Sequence, residues 1–426
     1  MEGKGEEGKP RVFKLHNGLQ VFVYERESPD IVALDAWVAT GAADEPAELA
    51  GASHFLEHML FKGTDSRGPG ELDRVVESVG GYWNAATGHD YTHYYVVVAS
   101  PFTDVGLDAL ADALYSAALD PVELERERLV VIEEIRRKND TPEGFLYTEL
   151  SRLLYGAGHP YGREVLGDEE TLSRVTRERL YDYHRSRYQP SDTRLFIVGK
   201  VDPKRIRAQV EAAFGAAPIG SPPSREPVPA ALPPDEPRRE VFKRAVEEGY
   251  LGVAFVGPAA SDERACAVGD VTMFLLGEGR SCRLYMKLKE ELGLATSISG
   301  YFYTRRGPGM CGIAATFEPA KLGELEEALA AELRALAAEG PPNDELEKAK
   351  TLFRREIVFN GETSDGEAGL RGYYAAISSG DLGYMDRYLA NVAGVSSQDV
   401  SDFAKRWLDP ARSAEVAILP SEDQGL

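Results

Sequence analysis

Two of the seven histidines in this 426-residue chain stand four apart in the stretch SHFLEHMLFKGT, residues 53–64, with a glutamate just before the second. On a helix, residues i and i+4 lie one above the other, so His54 and His58 present their imidazoles to one point. Glu57 is three residues from His54 and adjacent to His58, so it borders that point without repeating a ligand position. Two neutral imidazoles with a carboxylate beside them are parts of a hydrolytic zinc site. There the metal lowers the pKa of a water to about 7 and the carboxylate takes its proton. Gly63 is placed to stop the helix in a left-handed conformation.

Such a site needs a third protein ligand, and DPVELERERLVVIEEIRRKND, beginning at Asp120, supplies a candidate. Asp120 is a helix N-cap, Pro121 suits the first helical position, and Glu123 completes a start resembling a capping box. At about 100° per residue, Leu124, Glu127, Val130, Val131, Glu134 and Ile135 share one side, while Glu133 and Arg137 project elsewhere. Two glutamates seven apart on an apolar stripe are costly unless a cation compensates them. Zinc is one such cation. Partial exposure with Arg126 or Arg128 as partners is the other reading. Beside two histidines short of a ligand, Glu134 is the better metal candidate and Glu127 the carboxylate that supports it.

These helices need a scaffold. A hairpin with its turn at Asn17-Gly18 leads into the strand IVALDAWVATGAADE, the motif helix, the helix GELDRVVESVG, and the strands YWNAAT and THYYVVVAS. The second half repeats that order. It has a strand in YLGVAFVGPAASDE, a helix over 265–276, another near SCRLYMKLKEELG, and strands in TSISGYFY and GMCGIAATF. Long amphipathic helices such as LGELEEALAAELRALAAEG close each half. Between them lies APIGSPPSREPVPAALPPDEPRRE, too proline-rich for a helix or central strand. The predicted fold is therefore α+β: two homologous α/β sandwich domains of duplicated topology joined by a Pro-rich linker. The predicted boundaries are 1–216 for a zinc-binding catalytic domain, 217–240 for the linker, and 241–426 for a homologous domain without a zinc site. At the helix equivalent to the motif helix, the second copy reads CAVGDVTMFLLG, without histidine.

Bulk properties narrow the partners. A net charge of −22 argues against nucleic acid, which requires clustered Lys and Arg. Cys266, Cys282 and Cys311 share no CxxC spacing, so a disulfide framework is not expected, although a single bridge stays open. The opening MEGKGEEGKP has no apolar segment of a signal peptide, and no run of about 18 apolar residues occurs. The expectation is a cytoplasmic protein with no membrane association.

HFLEH is the inverted zinc motif of the inverzincins, and the chain resembles the pitrilysin/insulysin family, in its half-sized branch of mitochondrial processing peptidase β type. The likeness runs through NGLQVFV, HFLEHMLFKGT, GGYWNAATGHDYTHYYV, HPYGREVLG, LFIVGKVD and GLATSISGYF, nearly the whole chain. It implies zinc held by His54, His58 and Glu134, the last standing 76 residues past His58 as the family's third ligand does. It also implies Glu57 as general base and Glu127 as the supporting catalytic glutamate. The NAAT strand resembles the family's edge strand, on which a peptide pairs as an added strand, with Asn84 and Ala85 at its contact positions. The residues alone read there as a plain hairpin turning at Gly88 to Asp90. His159 in HPYG reads as part of a turn, and nothing in the pattern makes His89 or His93 a ligand.

The resemblance breaks in the second half. Family members carry an arginine and a tyrosine seven residues apart that hold the substrate carbonyl. In LKEELGLATS, Lys289 and Thr296 stand there instead. Lysine lacks the planar fork, and threonine is too short for a tyrosine's reach. Arg283, Tyr301 and Tyr303 are near in sequence only. The resemblance thus implies a zinc metalloendopeptidase acting on peptides or unfolded segments in a two-chain chamber. The expected arrangement is a heterodimer with a homologous chain supplying the Arg/Tyr pair, with a homodimer as runner-up. The alternatives are a catalytically weak or inactive structural or assembly subunit of such a heterodimer, or a zinc hydrolase of another bond.

Overall fold

The computed structural model describes residues 10–27, 29–221 and 223–421. The opening MEGKGEEGK, and with it the signal-peptide expectation, lies outside the described residues. Strands β1 (Arg11–Lys14), β2 (Gln20–Glu25), β3 (Ile31–Val38), β4 (Tyr82–Thr87), β5 (Thr92–Ala99) and β6 (Thr193–Gly199) form one sheet in the order β1-β2-β6-β3-β5-β4. Strands β7 (Arg238–Arg244), β8 (Gly249–Gly257), β9 (Ser297–Tyr303), β10 (Gly309–Phe317) and β11 (Ala414–Pro420) form a second, in the order β7-β11-β8-β10-β9. The second sheet repeats β2-β6-β3-β5-β4 position by position. In each, one pair (β2 with β6, β7 with β11) is parallel and the other pairs are antiparallel. The α+β architecture of duplicated topology is therefore present in the strand order itself.

The Asn17-Gly18 turn forms as the dipeptide demands: Gly18 has φ +101° and its amide donates to Leu15 O. Helices α1 (Ala52–Leu60), α2 (Glu71–Ser78), α3 (Thr103–Tyr115) and the first turns of α4 (Pro121–Asp140) join the first sheet in one core. Alternate residues of β3 and β5, including Leu34, Ala36, Tyr94 and Val96, meet Phe55, Leu56, Met59 and Leu60 of α1 and Leu124, Val131 and Ile135 of α4. This packing fixes the two helices that carry the candidate ligands.

The chain forms two compact units. One comprises the chain up to Ile135, Glu164–Glu226 and Val358–Gly380, and the other Arg136–Arg163, Pro227–Ile357 and the chain from Asp381. Helix α5 (Pro142–Tyr155) packs on β8 and β11 within the second unit, whereas helix Ser364–Ile377 packs on β3 and β6 within the first. Each half of the sequence thus lends one helix to the unit built mainly from the other. From 218 to 234 the described residues hold no helix or strand, and β7 begins at Arg238. The helix expected near SCRLYMKLKEELG is present, but its Tyr285–Glu291 segment winds as a π-helix. No helix among the described residues is long and apolar enough to cross a membrane.

Candidate metal centre

Helix α1 is short, and its start is held from outside. Gly51, at φ +90°, precedes it, and the Glu45 carboxylate accepts from the amides of Gly51 (2.8 Å) and Ser53 (2.6 Å). A buried anion there satisfies orphan amides and complements the helix dipole. The apolar residues of α1 face the core, which leaves His54 and His58 one turn apart with ring centroids 4.6 Å from each other. The helix ends at Leu60. Gly63, expected as its stop, lies further on at φ +107°, where a Cβ would come within 2.9 Å of the Arg67 carbonyl oxygen. Its conformation serves the following turn.

Helix α4 begins as its sequence predicts: the Asp120 carboxylate accepts from the amides of Val122 (2.8 Å) and Glu123 (3.1 Å). Its buried side differs from the predicted stripe. Leu124, Glu127, Arg128, Val131, Ile132 and Ile135 face inward, and Val130 is 50% exposed. Arg128 accounts for the rotation. Its guanidinium lies over the Phe55 ring and donates to the carbonyls of Leu172 and Val175, drawing that side of the helix against the protein. Glu127 and Glu134 still share a side, and the arginine partners considered for them are engaged elsewhere: Arg126 with Glu123 and Arg128 with Glu125.

The structure brings His54, His58 and Glu134 together, with one ligand atom from each lying within 4.8 Å of the others. Glu134 Oε2 is 3.5 Å from His58 Nε2 and 3.9 Å from His54 Nε2. Tetrahedral zinc with bonds near 2.0–2.1 Å places its ligand atoms roughly 3.3 Å apart, and the two Glu134 distances lie close to that value. A set of two imidazoles and one carboxylate is also a donor set of catalytic zinc sites. The residues present fit the metal.

Glu127 stands beside this cluster. Its Oε1 is 2.8 Å from His58 Nδ1, which turns His58 Nε2 toward Glu134. Glu57 is not among the three. Burial pushes its carboxyl above the usual range. The Thr87 hydroxyl, which donates to Oε2 at 2.5 Å, and the nearby charges of His58 and His93 act against that rise. A carboxyl so placed is suited to exchange protons near the cluster.

The remaining candidates are placed as follows. Asn84 and Ala85 lie on β4, the end strand of its sheet, whose outer backbone edge has no strand partner among the described residues. Asn84 is exposed, and Ala85 packs toward the core. His93 bonds Asp35 (3.0 Å) and stacks on Trp37, while His159, in the second unit, bonds Pro229 O and stacks on Tyr155. Within the second unit, Lys289 Nζ donates to Thr296 O (2.6 Å), and the Thr296 hydroxyl bonds that of Thr316. Arg283 forms a two-pronged pair with Glu345.

Three residues escaped the sequence reading. Lys62 bonds Glu127, and its position four past His58 continues the His54–His58 spacing, which is a legible signal. Thr87 is two past Ala85 on the same strand face, so period-2 alternation points it toward α1. Glu45 is joined to α1 through a turn of 3₁₀ helix, and no local pattern announces it.

Among the described residues, a repeated α+β fold carries a histidine–histidine–glutamate cluster that fits a metal ion, which narrows the class to two-domain proteins able to hold one. Comparison with known proteins narrows it further. Residues 21–169 match the family model Insulinase (Peptidase family M16), and residues 174–353 match Peptidase M16 inactive domain. An uncharacterized zinc protease of Streptomyces coelicolor is 29% identical over 99% of this chain and 92% of its own length. The uncharacterized zinc protease YmxG of Bacillus subtilis is 30% identical over 84% and 86%. A solved protease from Helicobacter pylori superposes with a TM-score of 0.89 at 25% identity, covering 97% of this chain and 99% of that one. The chain belongs to the insulinase family of zinc peptidases, in its half-sized form.

Proposed function

We propose that this chain is a zinc-dependent metalloendopeptidase that hydrolyses peptides or unfolded segments. The observation that carries the proposal is the convergence of His54, His58 and Glu134 on one point with the Glu57 carboxyl alongside. His54, His58 and Glu134 would hold the zinc, which would supply a Lewis acid for a peptide carbonyl and for the water that attacks it. Glu57 takes a proton from the attacking water as its oxygen bonds the carbonyl carbon, and passes that proton to the amide nitrogen as the C–N bond breaks, so the amine leaves neutral. The Thr87 hydroxyl keeps one Glu57 oxygen fixed during the exchange. The unpaired edge of β4, with Asn84 and Ala85, offers an extended peptide a strand to pair with. Edge pairing selects extended backbone, which favours unfolded segments over folded proteins.

The oxyanion donors come from outside this chain. Lys289 and Thr296 occupy the family's Arg and Tyr positions, and both are engaged locally. A homologous second chain presenting an Arg/Tyr pair completes the chamber, and a weakly active homodimer is the lesser variant. The same local engagement favours a second reading, a structural subunit with little catalysis. Hydrolysis of an unstructured reporter peptide, measured with the chain and its homologue together, decides between them. A chelator should abolish turnover and added zinc restore it. Turnover that survives chelation would overturn the metallopeptidase reading.

A further inference from the structure

We propose that Lys62 is a positioning residue of the metal centre, acting through Glu127 to fix the orientation of His58; the inference rests on the zinc reading above. Lys62 follows the end of α1, with its amide donating to Met59 O at 3.0 Å. The turn beyond is pinned to the segment that leads into α4. Thr64 bridges Ala117, and the Ala118 amide donates to Gly63 O at 3.2 Å. Lys62 is thereby brought against α4, where its Nζ lies 2.8 Å from Glu127 Oε2. The other oxygen, Oε1, takes His58 Nδ1, also at 2.8 Å. Both oxygens of the Glu127 carboxylate, whose side chain is only 8% exposed, are engaged, one by the ammonium and one by the imidazole.

This arrangement sets the plane of the carboxylate. A buried carboxylate held through one oxygen can rotate or draw away toward water, and stripping a cation from a buried pair leaves an uncompensated charge. With Lys62 in place, the plane is fixed, His58 keeps Nδ1 on Glu127, and Nε2 points to Glu134. Neither Arg126 nor Arg128 can take over, since they pair with Glu123 and Glu125. A role in positioning and a role as a mere nearby charge predict opposite signs. A positive charge near a cation site repels the metal, so removing it would tighten zinc. A positioning residue, when removed, weakens zinc; loss of the direct partner of a ligating histidine typically costs about 10–100-fold in metal affinity, and that range bounds what losing the ammonium behind Glu127 can cost.

The test is the zinc dissociation constant of the full-length apo protein, measured by competition with a chromophoric chelator. Lys62→Met and Lys62→Ala are the neutral variants, Lys62→Arg the conservative one, and Glu134→Ala the control. Both neutral variants should bind zinc about 10-fold more weakly or worse, with Lys62→Arg recovering at least half of the loss on a logarithmic scale. Lys62→Met binding within about 5-fold of wild type, or more tightly, overturns the inference, as does Lys62→Arg binding no better than Lys62→Met. If Glu134→Ala loses zinc while the neutral Lys62 variants keep it, only the positioning role falls. If the wild type holds no zinc, the metal reading falls and takes Lys62 with it.

Discussion

Asp270 offers a prediction whose size follows from its surroundings. It lies in helix Glu263–Gly277, which follows β8 as α1 follows β3, and it accepts a hydrogen bond from the Tyr388 hydroxyl. The thiols of Cys266 and Cys311 are near enough to feel its charge. Burial raises its carboxyl from 3.8 to about 7. An acid whose pKa is higher folded than unfolded binds more protons in the native state between the two values. Stability therefore falls as pH rises through that window and levels off above it. At about 1.4 kcal/mol per pH unit, the ceiling is about 4 kcal/mol, not fully reached because a fringe of Asp270 stays accessible. Asp270→Asn keeps the shape and an acceptor for Tyr388 but cannot ionise. Thermal melts of both proteins at pH 4, 6 and 8 should lie closest at pH 4, just above the unfolded value. The variant should then gain several degrees by pH 8, with a ceiling of roughly 8–16 °C for a domain of this size. A gap that is constant across pH, or that favours the wild type at pH 8, would refute the reasoning.

Two predictions concern catalysis. Glu57→Gln, nearly isosteric but unable to accept a proton, should keep its zinc and lose about 10²–10⁴ in peptide turnover; loss of the metal, or normal cleavage, would show that the role is misassigned. The isolated chain should turn over peptides poorly, since absence of one oxyanion donor costs about 10²–10³. Adding a homologue that bears the Arg/Tyr pair should raise the rate strongly, and an isolated chain as fast as any mixture would remove the need for a partner.

Much of the centre was legible because helical spacing is rigid. His54 and His58 had to share a face, and Glu127 and Glu134, seven apart, had to share another. The duplicated strand order was readable from the repeated element order on either side of the prolines. Tertiary choices were not. Val130 belonged to the stripe by angle alone, but Arg128 found two carbonyls and an aromatic face and turned the helix. The placement of α5 and of helix Ser364–Ile377 depends on which sheet face remains uncovered, and local sequence does not encode that. The Glu45 cap was invisible for the same reason, since its partner amides are set by a turn of 3₁₀ helix.

Metal analysis of purified wild type and Glu134→Ala tests the central claim most directly. Wild type should carry one zinc per chain and the variant far less, because Glu134 Oε2 is the oxygen that closes the cluster opposite the two imidazoles. Equal zinc in both proteins would contradict it and remove Glu134 from the ligand set.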